Sequence, residues 1–198
     1  MRPKNLEKEK AIRAVALQII AEEGLENLSM QKLAAAANIS PRTIYIKYRD
    51  KEDLLIKLFI EEVLVNFEKA AMAGFDDKMD FATGIKTLWS NVFTYMTKHR
   101  HEFSLLRYGQ SSPLLNKAYA ERGIKEGDYF KPFLAFLKAH ITKGHIRNYP
   151  PDIYRALLFA PLFNLLNEYF DYLERPKQII TKKVVDECCE MVIKGILK

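Results

Sequence analysis

The stretch that most constrains the fold is residues 38–55, NISPRTIYIKYRDKEDLL, because it contains the start signals of two short helices. Ser40 is a good N-cap residue, and Pro41 takes the first helical position, where its missing N–H costs nothing. Asp50 can cap the next helix, and Asp53, three residues later, supplies part of a capping box. The sequence therefore predicts a helix of about two turns, followed at once by a second helix.

The exposed sides of the first of these helices are basic. Ile44 is the residue that can point inward, which leaves its neighbours, Tyr45 among them, on the surface. Between residues 42 and 51 the chain carries one acid, Asp50, and four bases. The four bases are Arg42, Lys47, Arg49 and Lys51. A short, capped, basic helix with a phenolic hydroxyl suits contact with a phosphate backbone.

Another short helix precedes this one. Ser29 can cap it, and four apolar residues then share one face. These four are Met30, Leu33, Ala34 and Ala37. The joining segment is only a few residues long, and Asn38 tolerates the left-handed conformation. This arrangement predicts a helix-turn-helix whose second helix enters the major groove. The alternative is a small three-helix packing unit with a solvated basic face.

From about Lys8 to Leu55 the sequence resembles the N-terminal domain of the TetR family of transcriptional regulators. The matching residues are Ala16, Gly24, Ser29, Leu33, Ala34, Ile39, Ser40, Thr43, Ile44, Tyr45, Tyr48, Lys51, Glu52, Leu54 and Leu55. The resemblance implies that Tyr45 and Lys51 hold DNA phosphates. It also implies that base edges are contacted from Gln31, Pro41, Arg42 and Ile46.

The sequence departs from the family pattern at three positions. Arg42 stands where a small residue is common, and Ile46 and Lys47 replace a frequent histidine or aromatic pair. Arg42 either reads guanine through its O6 and N7 atoms or adds a phosphate contact. The predicted DNA-binding set is Ser29, Gln31, Ser40, Pro41, Arg42, Thr43, Tyr45, Ile46, Lys47, Tyr48 and Lys51.

Charge is distributed in agreement with this hypothesis. The 198 residues carry a formal net charge of +6. Residues 1–51 hold ten Lys and Arg against six Asp and Glu, a net charge of +4. This quarter of the chain therefore carries most of the net positive charge. Basicity concentrated around a candidate recognition helix indicates a polyanionic partner, here a double-stranded DNA operator.

Other classes of function have little support in the sequence. We find no Gly-rich phosphate loop, CxxC, HExxH or nucleophile elbow, so we expect no catalytic residue, metal or cofactor. The four histidines are expected at the surface or in loops: His99, His101, His140 and His145. No secretory pattern or spanning stretch of about 18 apolar residues is present. The adjacent Cys188 and Cys189 suit a reduced cytoplasm as packing residues, with a redox switch as the alternative.

The hydrophobic periodicity predicts an all-α fold of about nine helices, with no strand pattern. A functional division is expected between a helix-turn-helix domain, residues 1–50, and a ligand-binding and dimerisation domain, residues 51–198. Residues 1–5 are predicted to form a mobile arm. The predicted helices outside the helix-turn-helix are 6–23, 51–73, 77–98, 99–109, 114–142 with a break near Gly123 or Gly127, 151–174 and 177–197. Clear loops are expected at 109–113 and 144–152.

Aromatic residues of the later helices fall on elements that wall an internal ligand cavity in the family. Such a cavity would suit an apolar or aromatic effector. Plain core packing is the alternative for each residue. The predicted ligand set is Trp89, Phe93, Tyr108, Phe130, Phe133, Phe163, Asn164, Asn167 and Tyr169.

Two very apolar C-terminal helices carry more apolar surface than a small bundle can bury, which favours self-association. A four-helix interface with two helices from each subunit resembles family practice. The predicted interface set is Leu158, Leu162, Leu165, Val184, Val185, Cys188, Met191 and Val192. One short helix reads few base pairs, so a two-fold dimer on a palindrome is also needed for specificity.

Our leading hypothesis is a homodimeric, ligand-responsive transcriptional repressor released from its operator by a small apolar or aromatic effector. The rival hypothesis is an architectural DNA-binding protein that recruits a protein partner without any small molecule. A small helical enzyme is the third possibility, and nothing in the sequence favours it.

Overall fold

The structure is a computed structural model of the 198-residue chain and describes residues 3–109, 112–124, 128–171 and 176–198. Helices dominate these four segments and none of their residues forms a strand, so the predicted all-α fold is confirmed. The helices are α1 (Pro3–Glu23), α2 (Met30–Ala36), α3 (Pro41–Lys47), α4 (Lys51–Lys57), α5 (Leu64–Ala71), α6 (Phe81–Met96), α7 (Arg100–Gly109), α8 (Pro113–Glu121), α9 (Lys131–Thr142), α10 (Pro151–Asp171) and α11 (Lys182–Ile196).

Two compact units make up the chain. Unit 1 comprises the described residues up to Asn66 together with His99–Ile124. Unit 2 comprises Phe67–Lys98 and the described residues beyond Ile124. The predicted functional division at residues 50 and 51 stays a prediction.

The first helix starts earlier than the sequence suggested. α1 begins at Pro3, so residues 3–5 of the predicted mobile arm are helical, and Met1 and Arg2 lie outside the described residues. Proline is accepted at the start of a helix, and the Lys- and Glu-rich segment after it contains no stop signal. Ile12 and Ala16 are fully buried on one face, and Gly24, at φ 93°, ends the helix in a conformation that favours glycine.

The helix predicted for residues 51–73 contains a distortion that the sequence did not reveal. α4 continues into a π-helical turn, Leu58–Val63, and then into α5. A π turn inserts into an α-helix without requiring glycine or proline, so no residue type marks it. When these three segments are counted as one helix, the described ranges contain ten α-helices. The sequence predicted about nine.

Side-chain caps explain the later boundaries. α6 starts at Phe81 rather than near Asp77, because the carboxylate of Asp80 accepts a hydrogen bond from the Thr83 N–H at 3.0 Å. α11 starts at Lys182 rather than Lys177, because Thr181 is its cap. The predicted break in residues 114–142 separates α8 from α9, with Gly123 at φ 63°. Gly127 and residues 172–174 of the predicted helix 151–174 lie outside the described residues.

The core of unit 2 is formed where α6, α10 and α11 pack together. Trp89 of α6, Leu158 and Leu162 of α10 and Val185 of α11 are fully buried there. α9 adds an aromatic group in which the Phe136 ring stacks on other aromatic rings. No helix in the described ranges is long and apolar enough to cross a membrane.

Candidate nucleic-acid interface

Both helices of the predicted helix-turn-helix begin at a serine cap. The hydroxyl of Ser29 accepts a hydrogen bond from the Lys32 N–H at 3.1 Å, and that of Ser40 accepts one from the Thr43 N–H at 3.3 Å. Pro41 follows Ser40 at the first position of α3. The predicted starts of both helices are confirmed, because serine oxygens satisfy backbone donors that have no partner within the helix.

The turn between the two helices has the geometry that its sequence favours. Asn38 is left-handed, with φ 51°. Its N–H donates to the Ala35 carbonyl at 3.1 Å, and the Ile39 N–H donates to the Ala34 carbonyl at 2.9 Å. These two hydrogen bonds form a Schellman motif, which satisfies the last carbonyls of α2 and turns the chain into α3.

A small apolar core fixes the orientation of α3. Ile44 and Leu33 are fully buried, and Leu28 and Ala34 are 2% exposed. With Ile44 buried in this core, Tyr45 and Ile46 lie on the outer side of α3, and Thr43 is half-buried. Tyr45 is 46% exposed and Ile46 is 76% exposed on this outer side. Gln31, Ser40, Pro41 and Arg42 are exposed as well.

Tyr48 does not share that face. It is only 3% exposed, and the Lys57 ammonium lies 5.5 Å from the centre of its ring. The predicted direct contact of Tyr48 with DNA is therefore wrong, because the ring packs in the core beneath α3.

Both lysines of the predicted DNA-binding set have partners within the protein. Lys47 pairs with the carboxylate of Glu9 in α1. The Lys51 ammonium donates to the Leu25 carbonyl at 2.6 Å. Arg42, by contrast, has no ion-pair partner among the residues that the structure describes. These three cations therefore differ in how readily they can meet a phosphate.

Arg49 is a further cation that the predicted set omitted. Its side chain is 84% exposed, and its guanidinium lies 3.9 Å from Asp53, at the outer limit of an ion pair. Arg49 is one of the four bases between residues 42 and 51. That concentration of positive charge is the sequence signal for including it in the DNA-binding set.

Lys57 fixes the C-terminal end of α3. Its ammonium donates to the Lys47 carbonyl at 3.0 Å and to Asp53 Oδ2 at 2.9 Å. The Arg49 N–H also donates to Asp53 Oδ2, at 3.1 Å. Burial by itself would raise the pKa of Asp53, but the hydrogen bonds from Lys57 and the Arg49 N–H outweigh it and lower that pKa. Asp53 is consequently ionised at neutral pH, and it joins α4 to the end of the recognition helix.

Most of the predicted ligand residues pack against neighbouring core side chains. Trp89 is fully buried, and its indole N–H donates to the Leu158 carbonyl at 2.9 Å, as in an ordinary core. Ring pairs at 5.3–5.6 Å join Phe93 to Tyr169, Phe130 to Phe67, and Phe133 to Phe159.

The polar members of the predicted ligand set differ among themselves. Asn164 is exposed, whereas the buried side-chain oxygen of Asn167 has no hydrogen-bond partner within the described part of the chain.

Phe163 contacts the ring of Phe67 at 6.3 Å. Tyr108 belongs to unit 1, where it lines an open pocket of about 320 Å³ with Ser104 and Arg107.

The burial of three predicted interface residues shows that their assignment to the interface is wrong. Leu158, Leu162 and Val185 are 0% exposed within their own protomer, so no surface is left for a partner. Helical periodicity identified an apolar face here but not which body it packs against. Met191 is 70% exposed, and Leu165, Val184, Cys188 and Val192 are half-buried. Ile153, at 43%, and Leu157, at 47%, are exposed apolar residues of α10 outside the predicted set.

His140 is also corrected, because it is 2% exposed rather than on the surface. Its Nε2 atom lies 3.1 Å from the Met79 carbonyl, and its Nδ1 atom lies 2.9 Å from Nδ1 of His145. Burial lowers its pKa.

Burial raises the pKa of Cys189 to about 12, so this thiol is a packing group. Within the described ranges, no three His, Cys, Asp or Glu side chains are grouped to hold a metal ion.

Comparison with known proteins agrees with this geometry. Residues 12–58 match the family of bacterial regulatory proteins described as the tetR family. The fatty acid metabolism regulator protein of Bacillus subtilis is 37% identical over 135 residues, which cover 65% of this chain and 63% of that protein. An uncharacterized HTH-type transcriptional regulator of Haemophilus influenzae is 31% identical over 96 residues. The chain thus spans 51% of the Haemophilus protein and 63% of the Bacillus protein.

Solved structures share the fold over nearly the whole chain. A TetR family transcription regulator from Marinobacter aquaeolei VT8 superposes with a TM-score of 0.80 at 22% identity, covering 100% of both chains. FadR from Bacillus subtilis, solved in complex with stearoyl-CoA, gives 0.72 at 20% identity, covering 95% of this chain and 99% of that one. Residues 12–58 therefore carry the N-terminal domain of the tetR family of bacterial regulatory proteins, and the chain as a whole has the fold of solved TetR family regulators.

Proposed function

We propose that this protein is a dimeric transcriptional regulator that binds double-stranded DNA through α3 and acts as a repressor. The observation that carries the proposal is the exposed face of a doubly capped helix-turn-helix. Gln31, Arg42, Tyr45 and Ile46 lie on that face, while Ile44 anchors the helix from the inside. Arginine, glutamine and phenol groups around an exposed apolar residue can serve both phosphates and base edges.

Each of these side chains has a role that follows from its chemistry. The Tyr45 phenol and the Thr43 hydroxyl donate to phosphates and set the position of α3 on the duplex. Arg42 presents a planar fork that matches O6 and N7 of guanine. Ile46, which is 76% exposed and apolar, suits contact with a thymine methyl group. Sequence preference therefore depends mainly on Arg42, Gln31 and Ile46.

A dimer places two such helices on one palindrome, in successive major grooves roughly 34 Å apart. The exposed apolar residues Ile153 and Leu157 of α10 and Met191 of α11 offer the surface for self-association. Such residues are costly to leave in water, and burying them between two copies removes that cost. An occupied operator then blocks transcription of the adjacent gene.

An apolar effector with a polar group would release the repressor. The solved Bacillus subtilis FadR is in complex with stearoyl-CoA, which combines a long apolar chain with a polar head. In this chain the buried oxygen of Asn167, which has no hydrogen-bond partner within the described residues, is a place for a donor of such a molecule. The effector must bind the non-operator conformation more tightly to shift the equilibrium.

A second candidate is an architectural DNA-binding protein without a small-molecule effector. The aromatic packing of unit 2 favours it, since the Trp89 N–H already has a partner in Leu158. Titration of the protein–operator complex with stearoyl-CoA and with free aromatic and aliphatic acids separates the two candidates. Release of DNA by any of them supports the repressor, whereas no release across the series supports the architectural protein.

The DNA-binding proposal is tested by selecting fragments from the source genome with the full-length protein and measuring their affinity by gel shift. Arg42→Ala should weaken binding and relax base preference if the side chain reads guanine. Lys138→Ala is the matched control, because it removes one positive charge from an exposed position of α9. Equal losses in the two variants would mean that only net charge matters and would contradict a recognition role for α3.

A further inference from the structure

A chain of four charged side chains runs from the recognition helix to the π turn of unit 1. Lys47 of α3 pairs with Glu9 of α1. Arg13 of α1 donates through Nη2 to Glu9 Oε1 at 2.8 Å, and its Nη1 lies 2.6 Å from Glu62 Oε2. The side chains of all four residues are between 19% and 29% exposed, so water screens these pairs less than it screens pairs on the open surface.

This arrangement affects Lys47, the predicted DNA-binding residue at the C-terminal end of α3. The hydrogen bond from Lys47 is the main reason that the pKa of Glu9 lies below its ordinary value. Glu9 is therefore ionised at neutral pH and competes with phosphate for the same ammonium. A lysine whose charge is already neutralised by a carboxylate adds little to DNA affinity, because it displaces few counterions from the duplex.

Arg13 determines how much of the Glu9 charge is available to Lys47. Its guanidinium is shared between two carboxylates, Glu9 on its own helix and Glu62 in the π turn, and it also has a hydrogen bond with the Tyr48 side chain. Burial raises the pKa of Glu62, while the charge of Arg13 opposes that rise. Any change that turns Arg13 fully towards Glu9 weakens the hold of Glu9 on Lys47, and any loss of Arg13 strengthens it.

We propose that Glu9 withholds Lys47 from DNA phosphates, and that Arg13, shared between Glu9 and Glu62, sets how strongly it does so. The inference rests on the proposed DNA-binding function and adds to it. Glu9, Arg13 and Glu62 are positioning residues that act on DNA through Lys47. Affinity for the operator is then set partly by charges that lie behind the recognition helix.

The proposal predicts opposite signs for three conservative substitutions. Glu9→Gln releases Lys47 and should strengthen operator binding. Glu62→Gln leaves Glu9 as the one carboxylate among the described residues that still pairs with Arg13, and it should strengthen operator binding by a smaller factor. Arg13→Gln leaves Glu9 with Lys47 alone and should weaken it. A network that only holds the fold together would make every substitution neutral or harmful.

The test is a fluorescence-anisotropy titration of a selected operator with the full-length protein between 50 and 300 mM salt. With Lys47 freed in both subunits, Glu9→Gln should bind about five- to thirty-fold more tightly near 0.1 M salt. The slope of log K against log salt should steepen by about 0.9 per subunit. Glu190→Gln is the matched control, since it removes the same charge from an exposed ion pair with Lys86 in unit 2 and should leave the slope unchanged.

A double variant assigns the effect to Lys47. In a Lys47→Met background, Glu9→Gln should change neither the affinity nor the slope. The proposal is overturned if Glu9→Gln weakens binding, leaves the slope unchanged, or acts equally with and without Lys47. Glu62→Gln repeats the test if Glu9→Gln fails to fold in a thermal melt. If the wild-type protein binds none of the selected duplexes, the DNA-binding function itself fails and this inference fails with it.

Discussion

Gly109 provides a sharp test of the packing within unit 1. It is the last residue of α7 and is buried against the π turn. A Cβ atom added there would lie 2.2 Å from Cε2 and 2.3 Å from Cζ of the Phe59 ring. Gly109 does not have a positive φ, so alanine can adopt its backbone conformation, and the substitution changes packing alone.

The magnitude follows from how little the ring can move. Phe59 is 4% exposed, and its edge packs against Tyr119 with ring centres 6.4 Å apart. Relief of the clash requires a shift of more than about 1 Å in a closely packed region, and overpacking of this kind costs about 1–3 kcal/mol. Alanine recovers part of this through its better helix propensity, about 0.5–1 kcal/mol. The net loss from Gly109→Ala should therefore be about 0.5–2 kcal/mol.

The assay is thermal unfolding followed by circular dichroism, in which this loss lowers Tm by about 1–8 °C. Gly195→Ala is the matched control in α11, because nothing lies within 4 Å of the added Cβ. It should raise stability by about 0.5 kcal/mol through helix propensity alone. A Gly109→Ala protein as stable as the wild type would refute the close approach of α7 to the π turn.

Three further predictions concern binding, pH and assembly. Tyr45→Phe should fold normally yet lose about 0.5–1.5 kcal/mol of operator binding per subunit, and undiminished affinity by anisotropy would count against the phosphate contact. Asp53 has a lowered pKa, so its stabilisation is present above about pH 4 and is lost as the pH falls through that lowered value. Asp53→Asn should accordingly reduce Tm at pH 7 but much less at pH 2.5, and an equal reduction at both would contradict the ion pair with Lys57. Met191→Glu should give monomers in analytical ultracentrifugation, whereas Val65→Glu, at an exposed position of α5, should not.

The parts of this fold that could be predicted are those in which the signal is local. Ser29, Ser40 and Asp50 each cap a helix within three residues of themselves, so reading the sequence in order finds them. Asn38 is equally local, since its left-handed backbone serves hydrogen bonds to residues of the preceding helix. The start of α6 is less sharply marked, since Asp76, Asp77 and Asp80 are all possible cap residues within five positions.

The parts that could not be predicted depend on residues far apart in the chain. Lys47 and Glu9 are 38 residues apart, and nothing in either helix alone indicates that they meet. The same holds for the Lys51 ammonium and the Leu25 carbonyl, which are 26 residues apart. Periodicity also identifies the apolar face of a helix but not the element that packs against it. Leu158 is therefore predicted at a dimer interface, whereas the structure places it in the core of its own protomer.

Photo-crosslinking measures most directly whether α3 contacts DNA. A benzophenone amino acid placed at Ile46, which is 76% exposed on the outer face of α3, is compared with the same residue at Val65, which is 44% exposed on α5. On a duplex that the protein shifts, the Ile46 probe should crosslink to DNA and the Val65 probe should not. An Ile46 probe that leaves the bound duplex unlabelled, or equal labelling from both positions, would contradict recognition of DNA by this helix.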